Sequence, residues 1–178
     1  MGKLEYTGDG MKKSIIVVII SVIVLFAAAA ALWFFNGGAG GAAARGVITF
    51  VEDGETVAVT GMDDIKGMDG GTFRAVIRSS GKKPEEVEYT GVLLGDMLAG
   101  AGINLEGKSL ITINAEDGYS TEIAVSDLES TKIYIAYEMN GKAMKSKEQG
   151  GNGPYQLVIP SDPFSQRWIK FVCEVDVQ

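Results

Sequence analysis

The chain has 178 residues and a formal net charge of −7 at pH 7, with a single cysteine and no histidine. One cysteine excludes an intramolecular disulfide, and the missing histidine excludes Ser-His-Asp catalysis and histidine-ligated zinc or haem. The acidic balance argues against a nucleic-acid partner, which would require a positive surface.

The first predicted element is a membrane-spanning helix over residues 14–35. These 22 residues contain no charge, proline or glycine. At ~1.5 Å per residue such a helix is about 33 Å long, which matches the ~30 Å hydrocarbon core of a bilayer. Lys12 and Lys13 directly precede the run. This charge bias predicts a cytoplasmic N-terminus and an extracytoplasmic C-terminal domain.

A cleaved secretory signal is the alternative, with residues 42–44 as a small-residue cleavage site. The apolar core of such a signal has only ~7–15 residues. The longer run therefore favours a retained, single-pass anchor in the cell membrane, and both interpretations place the remainder outside the cytoplasm. The expected organisation is a cytoplasmic tail (1–13), the anchor (14–35), a Gly/Ala linker (36–45) and an extracytoplasmic domain (46–178).

The sequence pattern of residues 46–178 predicts short strands that alternate with a few short helices. Asp-Gly pairs at 53–54 and 117–118 predict hairpins, because glycine readily adopts the positive φ that such turns require. In chain order we predict strands 47–51 and 56–60, a helix 62–68, strands 72–78 and 86–89, a helix 92–101, strands 110–115 and 119–125, a helical turn 126–129, and strands 133–139, 156–160 and 168–177. These elements predict an α+β domain of mostly antiparallel strands with two or three short helices.

The residues themselves predict neither a catalytic group nor a metal site. Cys173 falls on the inward side of the last predicted strand, so we expect a buried, apolar thiol. The acidic clusters lack the spacing of a calcium loop. The glycine-rich segments lack the strand-then-helix context of a phosphate-binding loop.

Five short motifs occur in a fixed order along this domain. They are Tyr-Thr-Gly-Val-Leu-Leu at 89–94, Asp-Gly-Tyr-Ser at 117–120, Ala-Tyr-Glu-Met-Asn-Gly-Lys at 136–142, Leu-Val-Ile-Pro at 157–160 and Trp-Ile-Lys-Phe at 168–171. In this combination the segment 47–177 resembles the oxidoreductase molybdopterin-binding domain family. The resemblance implies a sulfite-oxidase-like fold and molybdopterin as a possible cofactor.

The sequence departs from the family pattern at the pocket. Catalytic members carry a molybdenum-ligating cysteine after an early strand, and the similar position here is Ser79, whose hydroxyl is a much poorer metal ligand than a thiolate. A common His-Gly reads Gln149-Gly150, and a frequent arginine reads Gln156. Arg167 and Lys170 match basic positions near the anionic end of the cofactor.

We therefore expect a non-catalytic binding module for a pterin-like or other small anionic ligand. Its hydrogen-bond donors would be Arg74, Arg78, Ser79, Arg167 and Lys170, and its wall would include Tyr137 and Asn140. For each residue an ordinary structural role is the alternative.

Two other functions stay open. One is a molybdopterin-dependent oxidoreductase or electron-transfer component at the membrane, against which the missing cysteine and histidine count. The other is a structural domain that contacts a membrane protein partner.

Overall fold

The computed structural model describes residues 46–178. The predicted tail, anchor and linker therefore lie outside the described residues. In the part that is described, no helix has the length and apolar character needed to cross a bilayer.

Residues 46–178 form a mostly antiparallel α+β domain, as predicted. The strands are β1 (Val47–Glu52), β2 (Glu55–Gly61), β3 (Gly71–Ile77), β4 (Glu85–Leu93), β5 (Leu110–Ala115), β6 (Ser120–Ala124), β7 (Tyr134–Met139), β8 (Lys142–Ala143), β9 (Gln156–Val158) and β10 (Val172–Val177). The helices are α1 (Met62–Gly67), α2 (Leu94–Gly100) and α3 (Asp127–Ser130), with 3₁₀ turns at Lys147–Gln149 and Ser165–Arg167.

The strands form two sheets. Sheet 1 has the order β2-β1-β10-β5-β6, and sheet 2 has the order β3-β4-β7-β8, with β9 also paired to β7. Within sheet 1, β1 and β10 run parallel, so that Thr49 lies opposite Glu174. The other pairs in both sheets are antiparallel.

The inward side chains of sheet 1 alternate along each strand, as the period of two in a strand requires. Ile48 and Phe50 on β1 are completely buried, as are Ile111 and Ile113 on β5. Burial of each such side chain contributes about 1.5–3 kcal/mol. The helix α2 adds Leu94, Met97 and Leu98 to the same core.

The predicted helix start at Val92 was wrong, because β4 continues to Leu93 and α2 begins at Leu94. Val92 and Leu93 pair with Ile135 and Tyr134 of β7. This pairing follows a close approach of the two strands at Gly91. A Cβ built on Gly91 would lie 2.5 Å from the carbonyl oxygen of Ile135, so only glycine allows the contact.

The prediction of one long strand over 168–177 was also wrong. The regular strand begins at Val172, and the preceding Phe171 has a φ of 60°, which turns the chain in the left-handed region. The register of β10 on β5 then shifts between Val172 and Glu174, which leaves Cys173 without a partner residue. The bulge makes Cys173 half-buried instead of fully inward, and Val172 takes the buried position.

Replacing Gly91 by alanine should destabilise the domain. The added Cβ meets backbone atoms that have no rotamer to escape, so we expect a loss of about 1–3 kcal/mol of unfolding free energy. Gly71→Ala is the matched control, because Gly71 pairs with Gly91 across the ladder yet a Cβ there meets no atom within 4 Å. Thermal melting should show a clear drop for Gly91→Ala and little change for Gly71→Ala; equal melting temperatures would refute the close-approach argument.

Candidate functional site

The candidate site is a depression of about 260 Å³ at the end of β3. It is lined by Ile77, Ser79, Lys82, Lys83, Glu85, Asn152, Gln156, Ser165, Trp168 and Lys170. Larger depressions of about 400 and 420 Å³ occur elsewhere on the domain. The smaller one is distinguished by its chemistry, because it collects several polar groups that have no partner within the described residues.

One side of the depression is formed by two short segments, at Gln156 and at Lys170, which are fourteen positions apart in the sequence. Gln156 and Lys170 face each other in an isolated antiparallel bridge, and the Leu157 N–H donates to the Ile169 carbonyl at 2.9 Å. This pairing brings the Gln156 amide and the Lys170 ammonium group to the same concave surface.

The opposite side comes from the loop after β3. The backbone N–H of Arg78 donates to the Ser165 hydroxyl at 3.0 Å, and the Ser165 N–H donates to the Arg78 carbonyl at 3.1 Å. The Lys82 N–H donates to the Ser79 carbonyl at 3.2 Å, which closes a turn. Ser79 is therefore held beside Lys82 and Lys83 at the rim.

Gln156 is the unusual group in this depression. Only 4% of the residue is exposed, and its Oε1 atom is buried without a hydrogen-bond partner in the described residues. Burying a polar group without a partner costs roughly 1–3 kcal/mol, and such atoms are rare in folded proteins. The Gln156 Oε1 atom therefore remains an unused acceptor for an N–H or O–H donor of a ligand.

The three lysines of the depression are also uncommitted. Within residues 46–178, Lys82, Lys83 and Lys170 form no ion pair with a carboxylate. Other basic residues of the domain do, and the pairs are Lys66 with Glu138 at 3.9 Å, Arg74 with Glu86 at 3.4 Å, Lys108 with Asp53 at 2.6 Å and Arg167 with Asp162 at 2.7 Å. The depression therefore concentrates unneutralised positive charge, with Glu85 as its only acidic lining residue.

The buried carboxylate of Asp162 fixes the loop between β9 and β10, which leads to Lys170 on one side of the depression. Asp162 is 6% exposed and accepts two hydrogen bonds from the Arg167 guanidinium, at 2.7 and 2.8 Å, and one from the Trp168 indole N–H at 3.2 Å. The hydrogen bond to Asp162 raises the pKa of Arg167 further above its ordinary value. Arg167 is thus engaged within the fold, with Asp127 as a second, more distant partner at 3.9 Å.

Of the seven residues predicted to contact a ligand, the depression brings together Ser79 and Lys170. Arg78 lies next to Ser79, but its side chain does not line the depression. Arg74 lies in another depression beside Phe73 and pairs with Glu86.

The two predicted wall residues lie in other structural settings. Tyr137 is buried in the core, with the Lys66 ammonium group 5.7 Å from its ring centre. Asn140 has a φ of 53° and forms the β7–β8 turn, where its side-chain oxygen accepts from the Glu88 N–H.

The sequence reasoning assigned no ligand contact to Lys82, Lys83 or Gln156. The adjacent lysines three and four residues after Ser79 were a visible signal for the first two.

The described residues contain no group of three or more Cys, Asp or Glu side chains arranged to hold a metal ion. Cys173 lies in sheet 1, where its thiol faces the Asn114 carbonyl at 3.6 Å. Burial, assisted by nearby carboxylates, raises the pKa of this thiol to about 11. The one cysteine of the chain is therefore not available as a thiolate near neutral pH.

Comparison with known proteins gives two kinds of match. Residues 54–178 match the family model described as the oxidoreductase molybdopterin binding domain. Thirteen chains of known structure are similar to this chain. Among them, the sulfane dehydrogenase SoxCD from Paracoccus pantotrophus aligns with a TM-score of 0.61 at 18% identity, over 76% of this chain and 39% of the other. This chain thus spans less than half of that protein. No curated protein sequence matches.

Replacing Asp162 by asparagine should loosen the wall of the depression. The new amide presents N–H groups to the Arg167 and Trp168 donors, so we expect a loss of about 1–3 kcal/mol of unfolding free energy. Asp127→Asn removes the same charge near the same arginine at a longer distance and should change stability by less than about 1 kcal/mol. Urea titration of both variants measures the difference, and equal losses would show that Asp162 has no special role.

Proposed function

The chain belongs to the oxidoreductase molybdopterin-binding domain family. We propose that its domain binds a pterin-like or other small anionic ligand and performs no catalytic molybdenum chemistry. The observation that carries the proposal is the collection of three lysines without carboxylate partners in one depression, beside a buried Gln156 whose Oε1 acceptor has no partner in the described residues.

The residues present fit one part of a molybdopterin-type group and not another. Lys82, Lys83 and Lys170 offer ammonium groups for its anionic end, the Ser79 hydroxyl can donate a hydrogen bond, and the Gln156 Oε1 atom can accept one from an N–H of a pterin ring. A thiolate ligand for molybdenum is missing, because the family resemblance aligns Ser79 with the ligating cysteine and Cys173 lies in the other sheet. The depression is therefore suited to holding an anion and poorly suited to fixing the metal.

We also propose that the domain acts at a membrane. Support comes from the uncharged run 14–35 and the lysines before it, which together favour a single-pass anchor with the domain outside the cytoplasm. Ligand binding near a membrane is compatible with a role beside a membrane protein partner. Fractionation of cells that express the full chain, followed by protease treatment of intact cells, tests both location and orientation.

Ligand retention by the full chain tests the binding function. The protein is expressed in a host that makes molybdopterin and purified in mild detergent; pterin is then measured by fluorescence after oxidation, and other bound small molecules by native mass spectrometry. Combined replacement of Lys82, Lys83 and Lys170 by alanine should lower the retained ligand at least about tenfold, since each charge-assisted hydrogen bond contributes roughly 1.5–3 kcal/mol.

The control removes the same charge elsewhere. Lys132, Lys142 and Lys145 also lack an ion pair among the described residues, and they lie outside the depression. Their combined alanine variant should retain the ligand. Equal loss in both variants, or retention in both, would overturn the assignment of the depression. A wild-type protein that retains no small molecule at all would refute the binding function and favour a purely structural domain.

Replacing Ser79 by cysteine should increase the affinity for molybdenum. A thiolate at the rim would supply the missing soft ligand, so molybdenum content measured by mass spectrometry should rise from near zero. Ser80→Cys is the matched control, because Ser80 does not line the depression. Wild-type protein that already carries about one molybdenum per chain would instead support the oxidoreductase alternative.

A further inference from the structure

The outer strand of sheet 1 has an open edge. β2 pairs with β1 on one side, and within residues 46–178 no strand pairs with its other side. Its residues Val57 and Val59 are 44% and 58% exposed, and they are two of the four large hydrophobic residues that are exposed in the described part of the chain. A strand edge of this kind presents unpaired backbone N–H and carbonyl groups, which can be satisfied by another strand.

The edge of β2 lacks the charged side chains found on three other outer strands, and a bulge at Val57 is its one irregularity, since Phe50 pairs with Ala58 and Val51 with Thr56. β3 carries Arg74, β6 carries Glu122 and β8 carries Lys142. In β2 the only charged residue is Glu55 at its start, and 56–61 are uncharged. Proteins commonly place charged side chains on edge strands to prevent pairing, so among these four edges that of β2 is the one that charge leaves open.

The sequence of this edge is self-complementary. Thr56-Val57-Ala58-Val59-Thr60 reads the same in both directions. Two antiparallel copies related by a two-fold axis at Ala58 therefore place Val57 opposite Val59 of the partner subunit. Aliphatic pairs of this kind are favourable cross-strand neighbours, and no like charges face each other.

We propose that β2 is the contact between two copies of this chain, which join edge to edge into one continuous sheet of ten strands. The palindromic sequence selects a second copy as the occupant, and the uncharged edge offers no complement to a basic or acidic partner. It also lets two chains of net charge −7 meet where repulsion is least. Strand pairing alone buries less than the ~1,200 Å² of a typical stable complex, so the dimer should depend on protein concentration.

Cysteine cross-linking of the full chain tests the register. Cys173 is first replaced by serine, and Val57→Cys and Val59→Cys are then made separately. After mild oxidation, a mixture of the two variants should give at least about tenfold more disulfide-linked dimer than either variant alone. Only the 57–59 pair is directly opposite, and the like pairs are diagonal neighbours that are too far apart to bridge.

A charge test on unlinked protein completes the experiment. Val59→Lys should shift the full chain from dimer to monomer in sedimentation velocity across a concentration series. Tyr119→Lys, at a residue that is 72% exposed in the turn between β5 and β6, should leave the dimer unchanged. Equal cross-linking in all three cysteine samples would overturn the proposal. A wild-type monomer at every concentration, or a cross-link to a different protein, would do the same.

Discussion

The buried carboxylate of Asp162 is the interaction on which the site depends. Its three hydrogen-bond donors come from Arg167 and Trp168, five and six residues further along the chain. A carboxylate removed from water is unstable without such donors, so the loop between β9 and β10 has one strongly preferred conformation. That loop carries Ser165, which is bonded to the end of β3, and leads to Lys170, which lies opposite Gln156. One ion pair therefore determines where both walls of the depression lie.

Basic residues are used in two ways in this domain, with and without a carboxylate partner. Arg74 and Arg167 direct their guanidinium groups at carboxylates, where Arg167 donates two directed hydrogen bonds to Asp162 and Arg74 donates one to Glu86. The depression instead collects lysines, whose ammonium groups sit on flexible chains and donate in several directions. Arg167 thus stabilises the fold, as Lys66 and Lys108 do through their own carboxylate partners, whereas the three lysines of the depression have no such partner among the described residues. This division also explains how an acidic domain can present a locally positive site.

Local patterns were sufficient to predict most elements, because hairpin turns and strand alternation depend on residues that are close in the sequence. They failed where a distant backbone decided the outcome. The strand β4 extends past Gly91 because β7 approaches there, and the bulge at Cys173 arises from pairing with β5. For the site, the resemblance pointed to Ser79 and Lys170, which do line one depression. The engagement of Arg167 by Asp162 and the isolation of the Gln156 amide depend on three-dimensional neighbours that no sequence pattern contains.

The parallel pairing of β1 with β10 determines the order in which sheet 1 can assemble. The β1–β2 hairpin is made of the first residues of the domain, yet it joins the rest of the sheet only through β10, which lies between it and β5. During synthesis this hairpin therefore waits, with its apolar face uncovered, until residues 172–177 have emerged from the ribosome. Sheet 1 can therefore be completed only after the last strand of the domain has formed, and until then the apolar face of the hairpin is a site for aggregation.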